Sequence, residues 1–517
     1  MSSKFVLVLG LVFVLLGVVG VAINVERVEA SGTIYIRANG LVEGTNKITN
    51  VGNITYTFTD NITDSIVVER SNIIVDGNGY TLQGTGSGDG FYWNGVNNVT
   101  IQDTNIEDFW YGIYLESSSN SNVSGNTIAH NDYGIWLFRS SGNSMRGNNI
   151  TNNALGIRHQ YSSNNSISGN NIANSQQGGI YLFSSSNYNN INGNTITTNN
   201  QYGIRLDQSP DNSINGNNIT NNQNGIWLHY SPDNSINGNN ITNNQNGIRF
   251  SFSSNNSING DNITNNEIGI KLESSSNNSI SESNITNSGV DGIWLDYSSS
   301  NDISGNNMMN NQGGILLSFS SLNSISGNNI TNNQYGIHLD YSSDNNDISG
   351  NNIKNNGAHG IWLGFSSNNG ISGNNITNNQ YGIYLDSSSA NGISRNNITS
   401  NQYGIRLDYS SHNNVHHNNF IYNTQQVYLY TPNYANVWDD GYPSGGNYWS
   451  DYEEKYPNAT EINDSGIWDT PYVIDENNQD NYPIVPEFPS FLILPLFMIA
   501  TLLAVIVYKR KHTVRQI

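Results

Sequence analysis

The chain has 517 residues, a formal net charge of −21, no cysteine and a hydrophobic content of 35%. The acidic balance argues against a nucleic-acid partner, because phosphate binding needs a basic surface. Without cysteine the chain can form neither disulfides nor thiolate metal sites. Asparagine, serine and glycine dominate, a mix typical of disorder, but isoleucine and leucine recur at regular intervals, which predicts an ordered repeat structure.

The N-terminal segment predicts export. Lys4 precedes an apolar run from Phe5 to Ile23, and Val28-Glu29-Ala30 has small or aliphatic residues where a signal peptidase would cleave. We interpret residues 1–30 as a signal peptide; because the apolar run is long, a retained membrane anchor is the alternative. Residues 31–90 are less regular, as terminal repeats of a solenoid usually are, and we assign them as an N-terminal cap with the first coils.

The central part of the chain is a repeat marked by the dipeptide Gly-Ile at intervals of 22–24 residues. The marker glycines are Gly112, Gly134, Gly156, Gly179, Gly203, Gly225, Gly247, Gly269, Gly292, Gly314, Gly336, Gly360, Gly382 and Gly404. Isoleucine and leucine occur singly or at i, i+2, which is the period of a β-strand. Three short strands per repeat, with Gly-Asn and Asn-Asn corners, predict an all-β, parallel β-helix over residues 91–431. An Asn that recurs at one corner, as in Asn148, Asn217 and Asn374, predicts an inward ladder of amides.

The composition changes after Val427. Residues 432–489 are rich in Trp, Tyr and Pro and are assigned as a C-terminal cap. Residues 490–508 form an apolar stretch long enough to span a bilayer, and Lys509-Arg510-Lys511 in the tail 509–517 places that end in the cytoplasm. We therefore expect one transmembrane helix that anchors the β-helix to the outer face of the cell membrane.

The repeat Asn-x-Ile-Ser-Gly-Asn-Asn-Ile-Thr-Asn-Asn-x-x-Gly-Ile-x-Leu resembles the right-handed parallel β-helix of NosD-type proteins, which belong with the carbohydrate-binding and sugar-hydrolase β-helices. The resemblance covers about residues 33–484. The motif Pro486-Glu487-Phe488-Pro489-Ser490 resembles the PEF-type sorting tail of archaeal surface proteins. That second resemblance implies that a lipid replaces the apolar helix, whereas an ordinary stop-transfer helix is the alternative.

The residue between Ile and Leu of the Gly-Ile-x-Leu strand is expected to point outward. The candidate ligand-binding residues at this position are Tyr114, Trp136, Arg158, Tyr181, Arg205, Trp227, Arg249, Trp294, Trp362, Tyr384 and Arg406, with Lys271, Leu316 and His338 completing the series. Aromatic rings beside guanidinium groups on a flat sheet suit a polysaccharide. The alternative is that these wide side chains only shield the sheet.

Two residues further along the strand, a second outward series carries carboxylates. Glu273 and Asp296 are expected on adjacent rungs, as are Asp386 and Asp408. Such stacked carboxylates could act as an acid–base pair in a polysaccharide hydrolase or lyase, or could hold calcium. Compensation of the neighbouring basic residues is the favoured interpretation.

The resemblance to NosD-type proteins also implies copper delivery, which would need clustered histidine or methionine ligands. His412, His416 and His417 are the candidates. Because soft ligands are so few, copper binding is not favoured.

The acidic segment near the C-terminus resembles a degraded calcium loop. Glu461, Asn463, Ser465 and Asp469 alternate around Gly466, as oxygen ligands do in such loops. An acidic, solvated loop is the alternative.

Asn-x-Thr acceptors, among them Asn149 and Asn240, recur at one repeat position, so N-glycans are also expected. Together these features predict a surface-anchored β-helix that binds an envelope glycan or an external polysaccharide. A polysaccharide hydrolase or lyase is the second interpretation, and a copper-handling NosD-like protein is the third.

Overall fold

The computed structural model describes residues 32–431 and 434–485. They form an all-β, right-handed parallel β-helix of about 17 coils, which confirms the predicted fold class. Within these two ranges no helix is long and apolar enough to cross a membrane. The predicted signal peptide (1–30), the PEF motif (486–490), the apolar segment (490–508) and the basic tail (509–517) lie outside the described residues and stay predictions.

Each coil gives one strand to each of three sheets. The long-strand sheet contains the Gly-Ile strands and consists of Ile34–Ile36, Val42–Glu43, Ile66–Val68, Asp89–Asn94, Tyr111–Glu116, Tyr133–Phe138, Leu155–Gln160, Gly178–Phe183, Tyr202–Asp207, Asn224–His229, Asn246–Ser251, Ile268–Glu273, Asp291–Asp296, Gly313–Ser318, Tyr335–Asp340, His359–Gly364, Tyr381–Asp386, Tyr403–Asp408 and Gln425–Leu429. The second sheet consists of Ile48–Val51, Thr55–Phe58, Ile73–Asp76, Val99–Gln102, Asn122–Ser124, Ser144–Arg146, Ser166–Ser168, Asn190–Asn192, Ser213–Asn215, Ser235–Asn237, Ser257–Asn259, Ser279–Ser281, Asp302–Ser304, Ser324–Ser326, Asp347–Ser349, Gly370–Ser372, Gly392–Ser394 and Asn414–His416. The third sheet consists of Thr81–Gln83, Asn105–Glu107, Thr127–Ala129, Asn149–Thr151, Asn171–Ala173, Thr195–Thr197, Asn218–Thr220, Asn240–Thr242, Asn262–Thr264, Asn284–Thr286, Asn307–Met309, Asn329–Thr331, Asn352–Lys354, Asn375–Thr377, Asn397–Thr399, Asn419–Ile421 and Tyr448–Trp449.

The core is a set of aliphatic stacks that run along the rod. Ile248 pairs in register with Ile270 of the next coil, and both are fully buried. The marker glycine is required by close packing: a Cβ on Gly247 would lie 2.5 Å from the carbonyl oxygen of Gly269 and 2.8 Å from a methyl carbon of Ile263. The Gly-Ile dipeptide therefore marks the point where successive backbones approach too closely for a side chain.

Asparagine ladders satisfy the polar groups at the buried corners. The predicted ladder is confirmed: Asn217 Nδ2 donates to Asn239 Oδ1 at 3.0 Å, and the same contact recurs from coil to coil. Two further inward ladders, one through Asn222 and Asn244 and one through Asn234, were not predicted. Each amide also accepts a backbone N–H of the preceding coil, so buried backbone donors are paired.

The two ends of the rod depart from the repeat. At the N-terminal end, Ile48–Val51 and Thr55–Phe58 form an antiparallel pair before the parallel stacking begins. At the C-terminal end the Trp449 ring stacks on Phe420 of the last regular coil, with 4.4 Å between ring centroids, and Tyr472 stacks on Trp449 at 4.2 Å. One short helix, Tyr452–Lys455, follows. These rings cover the open end of the aliphatic core.

Candidate functional site

The outward face of the long-strand sheet carries three parallel columns of side chains. The leading column consists of the residues directly before the marker glycine. The middle column consists of the residues between the Ile and the Leu, and the trailing column of the residues directly after the Leu. Strand pairing aligns equivalent residues of successive coils, for example Arg205 with Trp227. The middle column is Tyr114, Trp136, Arg158, Tyr181, Arg205, Trp227, Arg249, Lys271, Trp294, Leu316, His338, Trp362, Tyr384 and Arg406, and every member is half-buried. The structure therefore confirms that these side chains form one outward line.

Rings and cations of the middle column stack on one another along the rod. The guanidinium carbon of Arg205 lies 4.1 Å from the ring centroid of Trp227, and that of Arg249, on the following rung, lies 5.2 Å from the same ring. The His338 ring stacks on Trp362 at 3.9 Å with an interplanar angle of 7°. Each such contact contributes about 0.5–1 kcal/mol at a partly exposed site. The column therefore stabilises itself.

The tryptophans of the middle column turn their N–H edges toward the protein. The indole nitrogens that are buried without a hydrogen-bond partner in the described chain include those of Trp136, Trp227, Trp294 and Trp362. With the ring faces covered by neighbours, a ligand would meet the outer ring edges and the guanidinium groups.

Burial is the main cause that lowers the pKa of His338 to about 4, and repulsion from the nearby His359 lowers it further. That imidazole is therefore neutral at physiological pH, and its Nε2 lies 3.8 Å from Asp340 without forming an ion pair.

The trailing column holds the carboxylates that were candidates for catalysis. Glu273 is aligned with Asp296 on the next rung, and Asp386 with Asp408, as predicted. Burial raises the pKa of Asp296. Neither Asp296 nor Asp386 makes an ion pair within the described residues.

The other two carboxylates compensate basic residues of the middle column. Glu273 pairs with Arg249 at 2.7 Å and with Lys271 at 2.8 Å, and Asp408 pairs with Arg406 at 2.6 Å. Burial alone would raise the pKa of Glu273, but hydrogen bonds from Lys271 and Arg249 hold it below its usual value. For Glu273 and Asp408 the geometry favours charge compensation.

The leading column is a third functional candidate, and we did not predict it. Its aromatic members include Tyr111, Tyr133, Tyr202, Tyr335, His359, Tyr381 and Tyr403. The Tyr111 and Trp136 ring centroids are 4.6 Å apart, and Arg406 Nη1 donates to Tyr381 Oη at 3.1 Å. The recurring triplet Tyr-Gly-Ile was the available sequence signal.

A cluster of possible metal ligands lies near the C-terminal end of the rod. Ligand atoms of His416, His417 and Asp440 lie within 4.8 Å of one another. His417 Nε2 donates to the Ser444 carbonyl oxygen at 2.9 Å, which leaves the Nδ1 lone pair of His417 facing Nδ1 of His416 at 2.6 Å. Asp440 accepts a hydrogen bond from Ser444 Oγ at 2.7 Å.

The predicted trio of His412, His416 and His417 is therefore corrected. His412 lies at another corner, where its Nδ1 contacts Ser411 Oγ at 2.8 Å, and it does not belong to the cluster. The third member of the cluster is Asp440, which the sequence does not predict because only the turn after the last coils brings it near the histidines.

The NosD family model, described as periplasmic copper-binding protein, matches residues 21–245, 186–312 and 288–454. The chain belongs to the NosD family. This finding confirms the resemblance seen in the repeat. The comparison of the sequence with curated proteins gives no match.

The description of the NosD family implies copper, so the ligand cluster can be tested for its fit. Two imidazoles and a carboxylate suit a divalent ion such as Cu²⁺, whereas none of the three is a thiolate or thioether of the kind that selects Cu(I). The hydrogen bond from His417 Nε2 to a backbone carbonyl sets the tautomer of His417, and its Nδ1 lone pair points into the cluster, as in a ligating histidine. The cluster fits a divalent copper ion, which His416, His417 and Asp440 would hold.

This NosD-family chain is similar to several solved structures. The A-module of a mannuronan C-5 epimerase from Azotobacter vinelandii is 15% identical, with a TM-score of 0.35 over 59% of this chain and 81% of the module. A DFA-IIIase from Arthrobacter chlorophenolicus is 10% identical, with a TM-score of 0.40 over 48% of this chain and 81% of that chain. The enzymatically active domain of tailspike protein 2 of bacteriophage CBA120 is 14% identical, with a TM-score of 0.35 over 51% of this chain and 47% of that chain. Likenesses of this size carry no argument about function.

The predicted calcium loop uses its carboxylates internally. Glu461 accepts a hydrogen bond from the Gly466 N–H, and Asp469 accepts hydrogen bonds from the hydroxyls of Thr460 and Thr470. Asn463 lies in the turn that directly precedes Ser465, and its backbone is left-handed. Calcium binding by this segment stays a prediction.

The predicted N-glycan acceptors lie on the exposed face of the third sheet. They form a surface ladder in which Asn240 Nδ2 donates to Asn218 Oδ1 at 2.9 Å and Asn262 Nδ2 donates to Asn240 Oδ1 at 2.8 Å. The nitrogen that a glycan would occupy therefore already has an acceptor. Glycosylation stays a prediction.

Proposed function

We propose that this NosD-family β-helix binds a polysaccharide along the outward face of its long-strand sheet. The supporting observation is the unbroken alignment of the middle column over its fourteen rungs, from Tyr114 to Arg406. A surface with a constant repeat of about 4.8 Å suits a linear polymer, because one chain can make similar contacts on many rungs. Weak contacts on one rigid support then add by multivalency.

The chemistry of the face fits sugar recognition. Tyr hydroxyls, ring edges and guanidinium groups occur together along the middle column, and carboxylates occupy half of the positions on its trailing side. Amphipathic rings contact C–H groups, while the polar groups exchange hydrogen bonds with hydroxyls. The predicted signal peptide and the predicted apolar C-terminal anchor support a location on the outer face of the cell membrane, where such a polymer would be an envelope glycan or an external polysaccharide.

Retention on a panel of immobilised polysaccharides tests the proposal. The variant Trp227→Ala/Trp294→Ala/Trp362→Ala should bind at least about tenfold more weakly, which corresponds to a loss of about 1.4 kcal/mol. The matched control replaces three outward threonines of the third sheet, Thr220, Thr242 and Thr264, by alanine and should bind as the wild type does. Far-ultraviolet circular dichroism confirms that both variants keep the fold.

Equal retention by the tryptophan variant and the control contradicts binding through the middle column. Release of sugar fragments by the wild type, abolished by Asp386→Ala or Asp408→Ala, would instead favour the hydrolase or lyase. Product analysis on the same panel separates these outcomes.

A further inference from the structure

A row of exposed aromatic side chains lies at the corner that follows the long strands. Its members, which we call the aromatic ridge, are Tyr161, Tyr230, Phe252, Tyr297, Phe319, Tyr341, Phe365 and Tyr409. Their exposed fractions range from 43% for Phe319 to 60% for Phe365. They stand one residue beyond the trailing column, and each is followed by serine, which was an overlooked sequence signal. The ridge is the main exposed aromatic feature of the coils.

The ridge residues have a left-handed backbone, with φ from 47° at Tyr230 to 52° at Phe252. This conformation costs about 1–2 kcal/mol for an L-residue with a bulky side chain, whereas glycine and asparagine adopt it more cheaply. Other left-handed corners of the same coils carry such residues, for example Gly238 and Asn243. The backbone therefore does not explain why this corner carries Tyr and Phe.

Several ridge rings form a flat strip. Tyr297 and Phe319 stack with centroids 4.7 Å apart and an interplanar angle of 5°, and Phe319 and Tyr341 stack at 5.3 Å and 14°. Tyr230 and Phe252 stack at 5.0 Å and 10°. Stacking offsets part of the backbone cost. The rings nevertheless stay about half exposed, unlike the middle-column rings, whose faces and N–H edges are covered.

Polar groups border the ridge on both sides. On one side lie trailing-column carboxylates such as Asp296. On the other side lies a column of serines: the Ser299 N–H donates to Ser276 Oγ at 3.1 Å, and the Ser321 N–H donates to Ser299 Oγ at 3.2 Å. The hydroxyl hydrogens of Ser276 and Ser299 have no acceptor in the described chain and can donate to a ligand.

From Tyr297 to Phe365 the charge beside the ridge selects against anions; the N-terminal ridge residue Tyr161 differs, because Arg139 and Arg158 beside it make no ion pair in the described chain. Four basic residues of the middle column already form ion pairs with carboxylates of the trailing column; they are Arg205, Arg249, Lys271 and Arg406. Asp296 and Asp386 make no ion pair within the described residues, and the chain as a whole carries a net charge of −21. A polymer with carboxylate or sulfate groups would be repelled.

We propose that the aromatic ridge, which borders the outward face of the long-strand sheet, is the part of that binding face on which the sugar rings of the polysaccharide stack, and that this polysaccharide lacks anionic groups. The C–H faces of its sugar rings pack on the ridge, and its hydroxyl or amino groups bond to the bordering carboxylates and serines. This assignment rests on the proposed function and deepens it, because it names the contacting residues and the charge class of the ligand.

The test compares retention on cellulose (neutral), chitosan (amino-bearing) and polygalacturonate (anionic). The ridge variant is Tyr297→Asn/Phe319→Asn/Tyr341→Asn. Since asparagine tolerates the left-handed backbone, this variant should melt no lower than the wild type. We expect the wild type to be retained on cellulose or chitosan but not on polygalacturonate, and the ridge variant to lose retention by about tenfold or more.

Two outcomes overturn the ridge assignment while leaving glycan binding intact. One is full retention by the ridge variant together with loss in the Trp227→Ala/Trp294→Ala/Trp362→Ala variant. The other is a wild type that prefers polygalacturonate. A wild type that binds no polysaccharide on a broad panel overturns the proposed function itself, so the two failures are distinguishable.

Discussion

Arg205 and Trp227, on adjacent rungs of the long-strand sheet, form a cation–π pair with 4.1 Å between the guanidinium carbon and the ring centroid. The same guanidinium donates to Asp207, on its own strand, at 2.8 Å. One arginine thus links two neighbouring columns and two successive coils. The middle column is therefore part of the stability of the rod as well as a surface, and removing its charges should have a measurable structural cost.

We expect Arg205→Gln to lower the free energy of unfolding by about 1 kcal/mol, because it removes a cation–π contact and a partly exposed ion pair. Arg158→Gln is the matched control: Arg158 lies 4.9 Å from the Trp136 ring but makes no ion pair in the described chain. Urea denaturation should show a smaller loss for the control and a salt-dependent difference between the two. Equal losses at all salt concentrations would contradict a role for Asp207.

Asp261 interrupts the predicted asparagine ladder and should destabilise the rod at neutral pH. Its Oδ1 accepts from Asn239 Nδ2 at 2.9 Å, while its buried Oδ2 has no partner in the described chain. Burial raises the pKa of Asp261 to about 6. Because this folded-state value exceeds the unfolded value of about 3.9, the stabilising contribution is present below pH 4 and is lost as the pH rises through 6.

Asp261→Asn should remove this loss and raise the unfolding free energy at pH 7 by on the order of 2 kcal/mol. The exposed Asp302 provides the control, since Asp302→Asn leaves the ladder intact. Thermal melts between pH 4 and 8 measure both variants. A wild type whose stability stays level across that range would show that Asp261 is not buried as described.

Gly247→Ala should destabilise the rod by about 1–3 kcal/mol, as overpacking does in a tight core. The added methyl would meet the Gly269 carbonyl oxygen at 2.5 Å. Gly392 offers a matched control, because nothing lies within 4 Å of a Cβ built there. Differential scanning calorimetry should therefore show a lowered midpoint for Gly247→Ala only; equal midpoints would contradict the steric role of the marker glycine.

The ligand cluster predicts which histidines matter for a divalent metal. We expect Cu²⁺ binding, measured by isothermal titration calorimetry, to weaken by about tenfold or more in His417→Ala, because one ligand is lost. His412→Ala serves as the control and should bind as the wild type does, since His412 lies apart from the cluster. Equal effects of the two substitutions on Cu²⁺ binding would instead support the site predicted from the sequence, which includes His412.

The architecture of this protein follows from the spacing of its residues along the chain. Apolar residues at strand spacing and a period of 22–24 residues specify coils that must stack, because no single coil can bury its own isoleucines. The same period determined the middle column, the neighbouring carboxylates and one asparagine ladder, since equivalent positions of a regular solenoid superimpose. These predictions needed only local spacing and the alternation of a strand.

Which side chains are free to meet a ligand depends instead on how successive coils pack against one another. Ring faces in the middle column are covered by residues one coil away, so a tryptophan that looked available in the sequence, such as Trp227, is stacked between two arginines. Asp440 joins His416 only through the turn that caps the rod. The exposure of the aromatic ridge likewise depends on how each corner turns, because side-chain accessibility is set by packing between coils and not by the sequence within one.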